Sequence, residues 1–193
     1  MIDFAYADYA WEQAAALLAI DSPSGFTGKA ALWVKDTFEK LGFSAAITTK
    51  GGVLIDLGGK DANDGLFLEA HADTLGLMIR RVDSDGMIRV RQLGGVNYAS
   101  LEGETVTVHT RDGRSYTGLM ACQSHSVHVF DDARTLERNE NTMMVILDER
   151  VKSKEDVYAL GIRHGDFISV DPRCQITPNG YLKSRFIDDK AAI

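Results

Sequence analysis

The sequence predicts a mixed α/β protein in which a helix–strand region is interrupted by an inserted β-rich region. Three observations carry that prediction. Helical spacing dominates the first forty residues. Short apolar runs separated by Gly and Asp turns fill the middle of the chain. The last residues return to a strand-like run leading into a helix. At 193 residues the chain has room for one domain or two small ones.

Trp11, Ala14, Ala15 and Leu18 recur at helical spacing, which predicts a helix over residues 8–20 with one buried face. Ser22-Pro23-Ser24-Gly25 breaks it. Thr27 is placed to cap a second helix, whose apolar stripe is Ala31, Val34, Phe38 and Leu41, and Gly42 is placed to end it. Residues 44–48 and 53–57 read as strands around the turn Lys50-Gly51-Gly52. After a polar loop comes Leu66-Phe67-Leu68-Glu69-Ala70, an apolar run that suits a buried strand.

From residue 77 to residue 170 the turns come often: Ser84-Asp85-Gly86, Gly94-Gly95 and Arg111-Asp112-Gly113. One helix is expected in this span, starting at Ser153-Lys154-Glu155-Asp156 and stopped by Gly161. The density of turns predicts a compact β-barrel.

Composition narrows the function. There are 21 Lys and Arg against 28 Asp and Glu, a formal net charge of −7, and no basic cluster of the kind that holds nucleic-acid phosphates. No apolar run approaches the roughly 18 residues of a membrane span, and Met1-Ile2-Asp3-Phe4 lacks the basic and apolar pattern of a signal peptide. Cys122 and Cys174 are far apart and form no metal knuckle. The expectation is a cytoplasmic protein with neither nucleic-acid nor membrane partners.

Two short segments could carry chemistry. His71-Ala72-Asp73 follows the expected strand 66–70, and ligands bind at the C-terminal ends of strands in open α/β sheets. There a histidine can offer one ring nitrogen to a metal while a nearby carboxylate holds the other. A hydrogen-bonded turn is the plainer reading of one such copy. In Asp188-Asp189 a carboxylate could bridge two cations, or either acid could cap the helix that begins there. Other candidates are weaker. His125 and His128, read as part of a strand, point to opposite faces. Met143-Met144 and Cys122 read as core.

The ordered set of segments resembles the co-catalytic metallo-aminopeptidase family of glutamyl, deblocking and tetrahedral aminopeptidases, some of whose members carry the older description endoglucanase. The matching stretches are Ser22-Pro23-Ser24-Gly25, His71-Ala72-Asp73-Thr74-Leu75-Gly76-Leu77-Met78 and Leu93-Gly94-Gly95-Val96. They continue with 153–156, 160–166 and Asp188-Asp189-Lys190. The resemblance implies a zinc-peptidase-like α/β domain over 1–76 and 171–193, incomplete here, with a β-barrel lid and dimerisation domain over 77–170. It implies His71 and Asp188 as metal ligands and Asp73 as the catalytic residue orienting His71. It also implies two divalent metal ions (zinc, cobalt or manganese), peptide substrates and a homo-oligomer assembled through the lid.

Lys190 stands where the family commonly has Arg, and Ala191-Ala192 replaces its following small-Gly pattern. The family's catalytic Glu and remaining ligands fall beyond the position matched by Asp188. The expectation is therefore an N-terminal portion with weak or no metal binding of its own. Two other functions compete: a non-catalytic assembly or binding module and, at a distance, a glycoside hydrolase, which would need two carboxyls flanking a sugar groove.

Overall fold

The computed structural model describes residues 4–61 and 63–193. The chain divides into two compact units, one formed by residues 1–74 and 172–193, the other by the uninterrupted stretch 75–171. None of the described helices is long and apolar enough to cross a membrane.

In the first unit, α1 (Phe4–Leu18) and α2 (Gly28–Lys40) form where the apolar spacing predicts them. Thr27 is the N-cap of α2 but makes no side-chain cap bond. After α2 the chain turns at Gly42, whose φ of 93° lies in the left-handed region that glycine enters at least cost. β1 (Ser44–Ile47) and β2 (Val53–Asp56) pair as an antiparallel hairpin. Leu17, Ala30 and Val34 are the buried centre, with Trp33, Phe38, Val53 and Ile55 packed around them. Trp11 and Leu41, expected on buried faces, are about half exposed.

The expected strand over 66–70 is not found. Leu66, Phe67 and Leu68 are 86%, 74% and 72% exposed, and the segment is irregular. A strand exists only through its ladder. Here β1 pairs with β2 alone, and β9 (Gln175–Ile176) with β10 (Leu182–Lys183) alone, so this run is paired with neither hairpin. An apolar run reports burial in some context, and this one finds none among the described residues. The first unit ends in α4 (Ile187–Lys190), a single irregular turn.

The second unit is a closed antiparallel barrel, as the turn pattern predicts. Its strands are β3 (Gly76–Val82), β4 (Ile88–Leu93), β5 (Thr105–His109), β6 (Ser115–Cys122), β7 (Met143–Leu147) and β8 (Phe167–Val170). They are arranged in the order β3-β4-β7-β6-β5-β8, and β8 closes onto β3. Leu77, Ile88, Val90, Val106, Met120 and Ile168 fill its interior. Cys122 and Met143 are fully buried, as their apolar reading requires. At Gly118 on β6 a Cβ would stand 2.7 Å from the Ile146 carbonyl oxygen, so only glycine lets β7 come this close.

The helix α3 (Lys154–Ala159) starts at Ser153, whose side chain accepts from the Asp156 amide, and gives way at Gly161. His125 and His128 are not on a strand; they lie in a run of turns between β6 and β7, where the Phe130 amide bonds the Ser126 carbonyl. His109 is a buried barrel residue bonded to the Ser169 hydroxyl at 2.8 Å.

Candidate active site

The helix break after α1 does more than stop a helix. Residues 22–24 run beside residues 72–74 through a parallel bridge between Pro23 and Thr74. The Thr74 amide donates to the Ser22 carbonyl at 2.8 Å, and the Ser24 amide to the Thr74 carbonyl at 3.1 Å. The buried Ser22 hydroxyl donates to the Ala72 carbonyl at 2.7 Å. This pairing brings the Ser24 hydroxyl onto the Asp73 carboxylate. Each such bond is worth about 1 kcal/mol net, so together they hold an otherwise exposed loop in one shape.

On that loop the His71 ring has two different sides. Its Nδ1 lies 3.2 Å from the Asp73 carbonyl oxygen and 3.2 Å from Asp73 Oδ1. Both are acceptors, so Nδ1 carries the hydrogen. Its Nε2 faces Asp188 Oδ1 at 3.1 Å, across 117 residues of sequence. The His71 backbone amide donates to Asp189 Oδ2 at 3.4 Å. Desolvation pulls the imidazole pKa down, but the Asp73 carbonyl, the Asp73 carboxylate and Asp188 together hold it above the ordinary histidine value.

A neutral ring in this tautomer turns its Nε2 lone pair toward a carboxylate. That arrangement is repulsive unless a proton or a cation lies between them. Zinc–nitrogen and zinc–oxygen bonds of about 2.0–2.2 Å put two ligands of one ion about 3 Å apart, which matches the observed spacing. An imidazole with a carboxylate is also a donor set for zinc, cobalt or manganese. The pair therefore fits one edge of a metal site. It does not complete one: among the described residues no group of three or more His, Cys, Asp or Glu could hold an ion.

Asp188 and Asp189 do not cap α4, whose N-cap is Phe186 and makes no side-chain cap bond. Both acids lie inside the turn with non-helical backbone angles, and the peptide between them is cis. Lys190 follows, only 2% exposed, its Nζ donating to the carbonyls of Leu17 at 3.1 Å and Ile20 at 2.6 Å. Burial lowers its pKa to about 8, with the charge of Asp21 acting in the opposite direction.

The structure thus brings His71, Asp73 and Asp188 together. Sequence reasoning missed what Ser22, Ser24, Asp189 and Lys190 do. Their motifs were visible, Ser22-Pro23-Ser24-Gly25 as a helix break and Asp188-Asp189-Lys190 as a matched segment, but the partners of these four side chains were not.

Comparison with known proteins gives the family and the fold. Residues 51–193 match the family model of the M42 glutamyl aminopeptidases. YhfE of Bacillus subtilis is 39% identical over 177 residues, which cover 92% of this chain and 51% of that protein. The aminopeptidase APDkam598 of the archaeon Desulfurococcus kamchatkensis superposes with a TM-score of 0.81 at 26% identity, covering 97% of this chain and 50% of that one. The TET1 peptidase of Pyrococcus horikoshii shares the fold, with a TM-score of 0.75 at 20% identity over 95% of this chain and 53% of its own. The chain spans about half the length of the curated relatives it matches. On the family match and the shared fold, this chain belongs to the M42 glutamyl aminopeptidase family.

Proposed function

We propose that this chain is the N-terminal portion of a metal-dependent aminopeptidase that removes N-terminal residues from peptides, and that it supplies part of the metal site. The observation that carries the proposal is the approach of His71 Nε2 to Asp188 Oδ1 at 3.1 Å across 117 residues of sequence. Membership of an aminopeptidase family supports it.

In this reading His71 and Asp188 are metal ligands. A pair of divalent cations, when bound, would supply Lewis-acid activation of water and of the scissile carbonyl. The work of this chain's residues is orientation. Asp73 keeps the hydrogen of His71 on Nδ1 and so leaves Nε2 free to ligate, and Ser24 holds Asp73 in turn. Asp188, with a side chain 94% exposed, turns its Oδ1 toward His71 Nε2. The proton-accepting base and the remaining ligands belong to residues outside these 193. Assembly into a homo-oligomer through the barrel is part of the same proposal. Its support is that the related TET1 peptidase can assemble into a tetrahedron or a large octahedral shell.

The test is turnover of amino-acid p-nitroanilides with added zinc, cobalt or manganese. The 193 residues alone should show none. The same segment joined to a C-terminal half of the kind its relatives carry should show it, and should lose at least about a hundredfold on His71→Ala or Asp188→Ala. Turnover that survives both substitutions would refute the assignment. A non-catalytic module remains the alternative if the joined protein folds, binds metal and turns over nothing.

A further inference from the structure

We propose that Lys190 is the positioning residue for the Asp188 carboxylate: its buried ammonium ties the Asp188–Asp189 turn to the carbonyls that end α1. The proposal deepens the metal-site reading and rests on it for its functional meaning.

Asp188 is not held by its own packing. Its side chain is almost fully exposed, and α4 is one turn long with no side-chain cap. A turn that short has no stability of its own. Two residues on, Lys190 is the largest fully buried side chain among the described residues. A buried ammonium is tolerated only where acceptors meet it, and here the acceptors are the Leu17 and Ile20 carbonyls. These lie at the end of α1, the negative pole of that helix, which favours a cation.

The same stretch of chain serves the other donor. Leu17 and Ile20 hold Lys190, while Ser22 and Ser24, a few residues later, hold the loop that carries His71 and Asp73. Residues 17–24 are therefore a common frame for both sides of the His71–Asp188 pair. A metal ligand must be placed within about 0.2 Å of its ideal distance. The Ala191 amide bonds the Ile187 carbonyl at 3.0 Å and the Ala192 amide the Asp189 carbonyl at 2.9 Å. Asp188 and Lys190 therefore share one hydrogen-bonded turn, and a shift at Lys190 is passed on to Asp188.

The experiment uses the chain with 13C-labelled histidine, the His71 ring signals being assigned by His71→Ala. At pH 7 without metal, Lys190→Met should move those signals toward the positions they take in Asp188→Asn. In a Mn2+ titration followed by paramagnetic broadening at His71, Lys190→Met should weaken apparent affinity by about tenfold, the usual effect of removing an outer-shell partner. Lys190→Arg, which restores the donors, should recover most of that loss. Emission from Trp11 and Trp33, both in the first unit, reports whether that unit is folded. If Lys190→Met unfolds it, Lys190→Gln, which keeps one donor, carries the comparison.

A folded Lys190→Met chain with wild-type His71 signals and wild-type Mn2+ response overturns the proposal. So does a Lys190→Arg chain as impaired as Lys190→Met, or the loss of the first unit's fold in every Lys190 variant. If the wild-type chain gives no metal response at His71, as the incomplete ligand set among its described residues allows, the metal-free His71 signals alone decide. Lys190→Met must still move them, and wild-type signals overturn the proposal.

Discussion

Asp83 shows how single residues support the barrel. It closes the turn between β3 and β4, taking Arg81 Nε and Arg89 Nε at 2.7 Å each. Partial burial raises its carboxyl, but the two guanidinium hydrogen bonds, Arg89 first, more than reverse that, and its pKa falls below the ordinary aspartate value. A lowered folded pKa means stability that is fully present above the unfolded value near 3.8 and is lost as pH falls through the folded one. Asp83→Asn should therefore cost about 1 kcal/mol at pH 7. The gap between the two proteins should close in acid, as read from urea unfolding of the barrel at a series of pH values. A gap that stays constant down to pH 2 would show that Asp83 acts through something other than its charge.

Among the elements, β6 and β7 set the strictest local condition. At Gly118 an added methyl group would meet the Ile146 carbonyl oxygen at 2.7 Å and a Val145 methyl at 2.9 Å. The first is backbone and can move only by shifting the ladder. Gly118→Ala should cost about 2 kcal/mol in thermal or urea unfolding of the barrel. Gly95→Ala, where nothing lies within 4 Å, should be close to neutral and serves as the control. Equal effects at the two positions would mean that crowding against β7 is not the cause.

Over the whole molecule, the two units differ in how they are closed. The barrel is one uninterrupted stretch, 75–171, with every strand paired on both sides. Expressed alone, it should fold to a β-rich protein with a single cooperative unfolding transition, seen by circular dichroism and by dispersed amide signals. A disordered product would show that it depends on the rest of the chain. The first unit instead leaves Leu66, Phe67 and Leu68 exposed in a row. A run like that is a site of association until something covers it.

How much of this was legible in the residues varies from element to element. α2 could be read because its stripe of apolar residues refers only to its own period. The barrel hairpins could be read because Gly86 and Gly113 mark turns that need positive φ. The run 66–70 misled because apolarity without a ladder partner is not a strand. Likewise His125 and His128 could not be placed, since the bonds that fold their loop depend on contacts no local pattern records.

The sequence by itself determined α1, α2, the β1–β2 hairpin and the barrel, because each rests on local period or turn chemistry. His71, Asp73 and Asp188 stood out only through the resemblance of the ordered segments to a known family. Only the tertiary structure decided that His71 Nε2 meets Asp188, that Ser24 holds Asp73, and that Lys190 is buried against the end of α1. Those are contacts between segments 49 to 173 residues apart. Nothing in a local window encodes them; they exist because the chain returns, after the whole barrel, to the helix it left.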